Sequence, residues 1–233
     1  MKRRTLLEAG MGGLSGLALP LWSGATDPGE TDEAPVPAPA QATVLFDGKD
    51  LAAWVNQKGE PAGWKIADGH LEAPLGSGSI LTREVFRDFQ LHVEFRLPEP
   101  PDKGRGNSGV YLQNKYEVQI FDSWGRPPEA NGCGSLYREI PPLRNVSKKP
   151  GRWQSFDIAL RAPRFDEPGS EPREKGLLTV FHNRVLIHNN VRIPGMTGQA
   201  KRNPANDPRQ PGPLLLQNHG SAVRFRNIWI IPA

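Results

Sequence analysis

The chain has 233 residues, 37% of them hydrophobic, and a formal net charge of +4. Gly 25 and Pro 24 favour many turns over long helices, while the apolar content suffices for a core of ordinary size. Lys and Arg are interspersed with Asp and Glu, and no basic run is interleaved with aromatics, which argues against nucleic acid as a partner.

The N-terminus carries the three parts of an export signal. Lys2, Arg3 and Arg4 supply positive charge, Leu14 to Leu21 lie in an apolar stretch, and Ser23-Gly24-Ala25 offers small residues for cleavage. Arg3-Arg4 ahead of Leu6-Leu7 leans towards a twin-arginine signal, and Glu8 leaves the Sec route open. A signal peptide over residues 1–25 is therefore expected, with delivery to the periplasm or the cell exterior. The apolar segment is too short and Gly-rich for an integral membrane span. Residues 26–42, dense in Pro, Ala and acids, read as a disordered linker, and residues 43–233 as one domain. Cys133 is the single cysteine, so no intramolecular disulfide can form; it reads as a small buried hydrophobe rather than a nucleophile.

The domain reads as many short strands. Val44-Leu45-Phe46 leads into the Asp47-Gly48 turn, and Asp68-Gly69 predicts a primed hairpin turn between Trp64–Ile66 and His70–Glu72. Phe89 to Leu97 alternates, with Phe89, Leu91, Val93, Phe95 and Leu97 on one side and Gln90, His92, Glu94 and Arg96 on the other. Next comes a hairpin, Arg105–Gln113 and Tyr116–Ser123, broken at Asn114-Lys115. Its one face is apolar, while the other holds Tyr111, Gln113, Glu117 and Gln119. Ser123 to Pro150 lacks periodicity and is rich in Gly and Pro, which marks a long functional loop. Trp153–Leu160, Leu177–Phe181, Val185–His188, Leu214–Gln217 and Val223–Ile231 complete the strands. Evenly spaced strands without helical periodicity predict an all-β, two-sheet sandwich.

Several runs together carry a family resemblance: TVLFDGKDLAAW, RGNSGVYLQ, YEVQIFDS, CGSLYREIPP, PGRWQSFDI, FHNRVLIHNN, LLLQNHG and VRFRNIWI. In this order they resemble the 3-keto-disaccharide hydrolase family, also described as 3-keto-glucoside lyases and 3-keto-2-hydroxy-glucal hydratases. The resemblance implies a concanavalin-A-like, laminarinase-like jelly-roll sandwich and a 3-keto-glucoside or 3-keto-disaccharide substrate. The family usually carries Gly where Arg184 stands. A primed turn needs positive φ there, so a different turn is expected in this hairpin.

Laminarinase-type glycosidases need two carboxylates flanking the scissile bond. Here Glu117 is followed on its face by Gln119 and Phe121, so that strand lacks the pair. A 3-keto sugar needs less, because the C3 carbonyl acidifies the C2 proton. One base removes it, the enolate expels the C1 substituent, and water can add back. Glu117 is the candidate base, cation partner or hydroxyl ligand. Arg105, heading a Gly-rich loop, is positioned to reach a substrate oxygen or pair with Glu117. His219, ending a strand on the Gln217 side, is the candidate acid or enolate donor. Asn107, Ser108, Tyr111, Gln113, Gln119, His182 and Gln217 are candidate substrate ligands, and Trp124 a candidate sugar platform. His70 and His92 read as surface or structural. Glu117, His182 and His219 are capable of holding a divalent metal ion, although their spacing matches no metal motif.

The expected activity is thus exported cleavage of 3-keto-glycosides by elimination or net hydrolysis. Two rivals stand beside it: a non-catalytic carbohydrate-binding module on the same sandwich, and a sandwich glycosidase acting on unoxidised glucans.

Overall fold

The computed structural model describes residues 34–167, 171–204 and 206–233. The expected signal peptide lies outside the described residues. The strands are β1 (Thr43–Phe46), β2 (Trp54–Asn56), β3 (Lys65–Ala67), β4 (His70–Glu72), β5 (Ile80–Thr82), β6 (Phe89–Arg96), β7 (Ser108–Leu112), β8 (Tyr116–Ile120), β9 (Trp153–Arg161), β10 (Leu177–His182), β11 (Val185–Arg192), β12 (Leu215–Leu216) and β13 (Arg224–Pro232). Among the described residues the helical element is one 3₁₀ turn, Gly198–Arg202, and no helix is long and apolar enough to cross a membrane.

The strands form two antiparallel sheets, the sandwich that strand spacing predicts and that the resemblance implies to be concanavalin-A-like. The larger runs β11-β10-β9-β6-β13-β4-β3, with β1 also on β13; the smaller runs β2-β5-β12-β7-β8. Alternate residues of β6 (Phe89, Leu91, Val93, Phe95) and of β9 (Phe156, Ile158, Leu160) meet Val110, Leu112, Val118 and Ile120 of the smaller sheet in one buried cluster. At about 25 cal/mol per Å² of apolar area removed from water, this continuous interior is the main stabilising term.

His182, expected in the sugar site, belongs to that interior. Its ring packs on Phe95 and Phe156, Nε2 meets Gln154 Oε1 at 3.0 Å, and burial pushes its pKa down to about 3. It is a neutral core histidine on the larger sheet, placed there by β10 alternation, which turns Val180 and His182 inward. The turn beside it also differs from expectation. Asn183 (φ 50) and Arg184 (φ 66) keep the two-residue primed turn, with His182 opposite Val185. The Asn183 side chain holds it, donating to Val146 O and accepting from Ser155 N, which offsets strain on the order of 1 kcal/mol.

The outer side of β6 is roofed rather than solvated. His92 stacks on Trp229 and lies between Asp157 (2.6 Å) and Glu94 (3.4 Å). Glu94 accepts from Arg226, Asn227 and the Val36 backbone N–H; against the cost of burial, His92, Asn227 and Arg226 hold its pKa at about 2. Asn227 also donates to Val36 O at 2.7 Å. The expected linker is therefore anchored at Val36, because the Glu94 carboxylate accepts from its N–H and the Asn227 amide donates to its carbonyl.

Candidate active site

The site grows from the β7–β8 hairpin. Tyr111 lies opposite Glu117, and Gly109 opposite Gln119. These are non-hydrogen-bonded pairs, the closer kind, since the Glu117 backbone points away from β7. Its N–H donates to Thr197 Oγ1 (2.7 Å) and its carbonyl accepts from Tyr137 N (3.0 Å). Two loops, 132–140 and 195–203, thus cover the β8 edge and become the walls of a cleft.

That cleft has a volume of about 330 Å³, and Tyr111, Glu117, Gln119 and Gln217 line it. Tyr137, Arg138 and Glu139 come from one wall, Gly198, Gln199, Lys201 and Arg202 from the other, and Asn107 and His219 complete it. Lys201 pairs with Glu139, both lining residues. A second lobe of about 330 Å³ shares Tyr111, Gln199, Gln217 and His219, and continues over Leu81 and Leu215 towards Asn114, Asn206 and Asn218. Each lobe is of small-ligand size.

Glu117 is the buried acid of this cleft. The Tyr111 hydroxyl donates to its Oε2 at 2.6 Å, and the residue is 2% exposed. Burial raises its pKa to about 7, with the Tyr111 bond and the Arg138 charge pulling the other way. Burial and the Glu117 charge push Tyr111 upward, so the phenol stays protonated. A carboxyl that titrates near neutrality in a cleft is suited to proton transfer. Gln217 Nε2 reaches the Tyr111 hydroxyl at 3.4 Å, while Gln217 Oε1 and Gln119 Oε1 are buried acceptors without a partner among the described residues. Asn107 Nδ2 donates to His219 Nδ1 at 3.2 Å, on the exposed rim.

Other expected residues lie elsewhere. Arg105 does not pair with Glu117; its guanidinium donates to Asp122 O (2.6 Å) and lies 4.5 Å from the Phe121 ring. Gln113 is off the face, because the hairpin loop takes in Gln113 and Asn114, both with positive φ. Its amide donates to Phe86 O and Arg87 O, pinning that segment. Ser108 donates to Gln217 O and ties β7 to the end of β12. Trp124 is 56% exposed and outside the residues lining either lobe. Glu117 and His219 share the cleft but His182 does not, and among the described residues no three His, Cys, Asp or Glu side chains gather as a metal site.

Arg138 and Glu139 were not candidates from sequence. They sit in CGSLYREIPP, a run of the family resemblance without strand periodicity, and Arg138 adopts φ 61. A non-Gly residue held in that region is a mark of functional loops. Glu139 also supplies what β8 lacks, a second carboxylate in the cleft.

A two-sheet sandwich bearing a polar cleft with a neutral-titrating carboxyl is the build of a carbohydrate-acting enzyme. The chain belongs to the 3-keto-alpha-glucoside-1,2-lyase-like domain family, whose model matches residues 41–231. It is similar, at 36% identity, to a candidate glycosyl hydrolase from Parabacteroides distasonis, with a TM-score of 0.75 over 91% of this chain and 98% of the other. Two further candidate glycosyl hydrolases from that organism, at 20% and 23% identity, share the fold. Their TM-scores are 0.62 and 0.55, over 83% and 82% of this chain and 94% and 99% of theirs. No curated protein matches the sequence.

Proposed function

We propose that the protein cleaves 3-keto-glycosides by elimination across C1–C2, with Glu117 as the base. The observation that carries this reading is a single buried carboxyl, raised to about 7, on the floor of a cleft whose polar residues suit hydroxyl groups. Glu117 takes the C2 proton, and the C2–H electrons move towards the C3 oxygen as an enolate. Arg138, the cation whose charge reaches Glu117, offsets that charge. The enolate reforms the C3 carbonyl, C1=C2 forms, and the C1–O bond breaks. His219 protonates the leaving oxygen from Nε2, which carries the hydrogen of the neutral ring because Asn107 donates to Nδ1, and solvent at the exposed rim returns a proton to Nε2 as the oxygen takes the first. Addition of water to C1 and return of a proton to C2 would complete net hydrolysis. Family membership in a lyase-like group supports this chemistry. We propose further that the signal expected in residues 1–25 takes the protein out of the cytoplasm, and mass spectrometry of the native protein should then find a chain beginning near Thr26.

One observation favours a second reading. Glu139, paired with Lys201, shares the cleft, so a protonated Glu117 and the Glu139 carboxylate could act as the acid and partner of a glycosidase. The test is incubation with a 3-keto-glucoside and its unoxidised parent. Aglycone release from the keto sugar alone, abolished in Glu117→Gln, supports elimination. Equal release from the parent returns the choice to direct hydrolysis, and release from neither leaves a binding module.

A further inference from the structure

The Glu117 carboxyl lies in a slot cut by two glycines. A Cβ on Gly109 would stand 2.6 Å from Oε1 and 3.0 Å from Cγ of Glu117. Gly109 is not among the residues of positive φ, so its backbone does not demand glycine; the missing side chain is needed for room. From the other wall, a Cβ on Gly198 would stand 3.0 Å from Oε2 and 3.1 Å from the Tyr111 hydroxyl. Between them Tyr111 holds Oε2 at 2.6 Å, and Tyr111 is itself only 4% exposed. Among the described residues no donor meets Oε1, which is also not among the buried unpartnered atoms, so it is the oxygen that reaches the cleft.

We infer that Tyr111 is a positioning residue rather than a substrate ligand: by tying down Oε2 within the glycine slot, it presents Oε1 to the substrate in one orientation. This rests on the reading of Glu117 as base. Donating to substrate would need the Tyr111 hydrogen free, and it is committed to Glu117, while the oxygen faces Gln217 Nε2 at 3.4 Å. Losing that donor should affect when Glu117 ionises and how well its oxygen is aimed. It should leave substrate affinity nearly untouched.

Two measurements on the full chain separate the possibilities. In Tyr111→Phe, the carbon resonance of labelled Glu117, assigned by its loss in Glu117→Gln, should titrate at higher pH than in wild type, because a donor to the charged form is gone. With a p-nitrophenyl 3-keto-glucoside as probe, the rising limb of kcat against pH should move the same way, with KM within about twofold. Gly109→Ala, which displaces Oε1 while leaving Tyr111 in place, should also lower kcat. An unmoved Glu117 titration in Tyr111→Phe would overturn the proposal. So would a rise in KM with kcat unchanged, which would make Tyr111 a ligand. If wild type does not act on the probe, the elimination reading fails, and the titration still decides whether Tyr111 positions Glu117.

Discussion

Asn107 Nδ2 donates to His219 Nδ1 over 3.2 Å, and this contact fixes which nitrogen of His219 can give a proton. A donor at Nδ1 leaves the hydrogen on Nε2. His219→Ala removes that hydrogen altogether. The variant should lose turnover on alkyl 3-keto-glucosides, whose leaving oxygen needs a proton. It should lose little on p-nitrophenyl ones, whose leaving group departs as an anion. Comparing kcat on the two substrates checks this; equal losses on both would remove His219 from that role.

Arg138 and Arg105 should part company under substitution. Arg138 lines the cleft, and its charge lowers the Glu117 pKa, whereas Arg105 is bound to Asp122 O and stacked on Phe121. Arg138→Gln should lower kcat by about 10²-fold, comparable to losing one oxyanion donor. Arg105→Gln should mainly lower the melting temperature. Steady-state kinetics beside thermal unfolding would show the split.

The buried carboxyl should cost stability at neutral pH. The Glu117 folded value, about 7, lies above its ordinary 4.5, so its contribution to stability is full below 4.5 and lost as pH rises through 7. Glu117→Gln carries no charge to desolvate. It should unfold at a higher temperature than wild type at pH 8, with that advantage gone below about pH 4.5. A variant less stable than wild type at pH 8 would contradict the burial argument. Turnover should fall by about 10²–10⁴, the usual range for a general base.

Removing residues 1–41 should destabilise the sandwich, because Val36 gives its N–H to Glu94 and accepts from Asn227. The loss should be about 1–3 kcal/mol, the cost of leaving buried polar groups short of partners. Thermal melts of the full and truncated chains would show it. Equal melting temperatures would mean that water replaces the strap without loss.

Much of this was legible in the sequence, where alternation alone decides the outcome. Phe89 to Phe95 reads directly as a core strand, Asp68-Gly69 as a two-residue turn, and Tyr111 with Glu117 as one polar face. Where loop length enters, the reading slips: taking Gln113 into the turn moved it from the cleft to Phe86 O. Alternation also gives a face without saying which sheet lies over it, so His182 went to the core and His92 under a roof. Arg138, Glu139 and Gly198 were silent because they lie on aperiodic walls that only the packed fold brings to Glu117. Their nearest signal was the length and Gly/Pro content of the Ser123–Pro150 loop.

Deuterium at C2 of a 3-keto-glucoside tests the central claim most directly, because elimination must break that bond and glycosidic hydrolysis need not. With wild-type protein, aglycone release should show a normal isotope effect and the C2 label should exchange into solvent, and both should vanish with turnover in Glu117→Gln. Complete cleavage with the deuterium retained, at an undiminished rate, would contradict elimination and assign the cleft to Glu117 and Glu139 acting as a glycosidase pair.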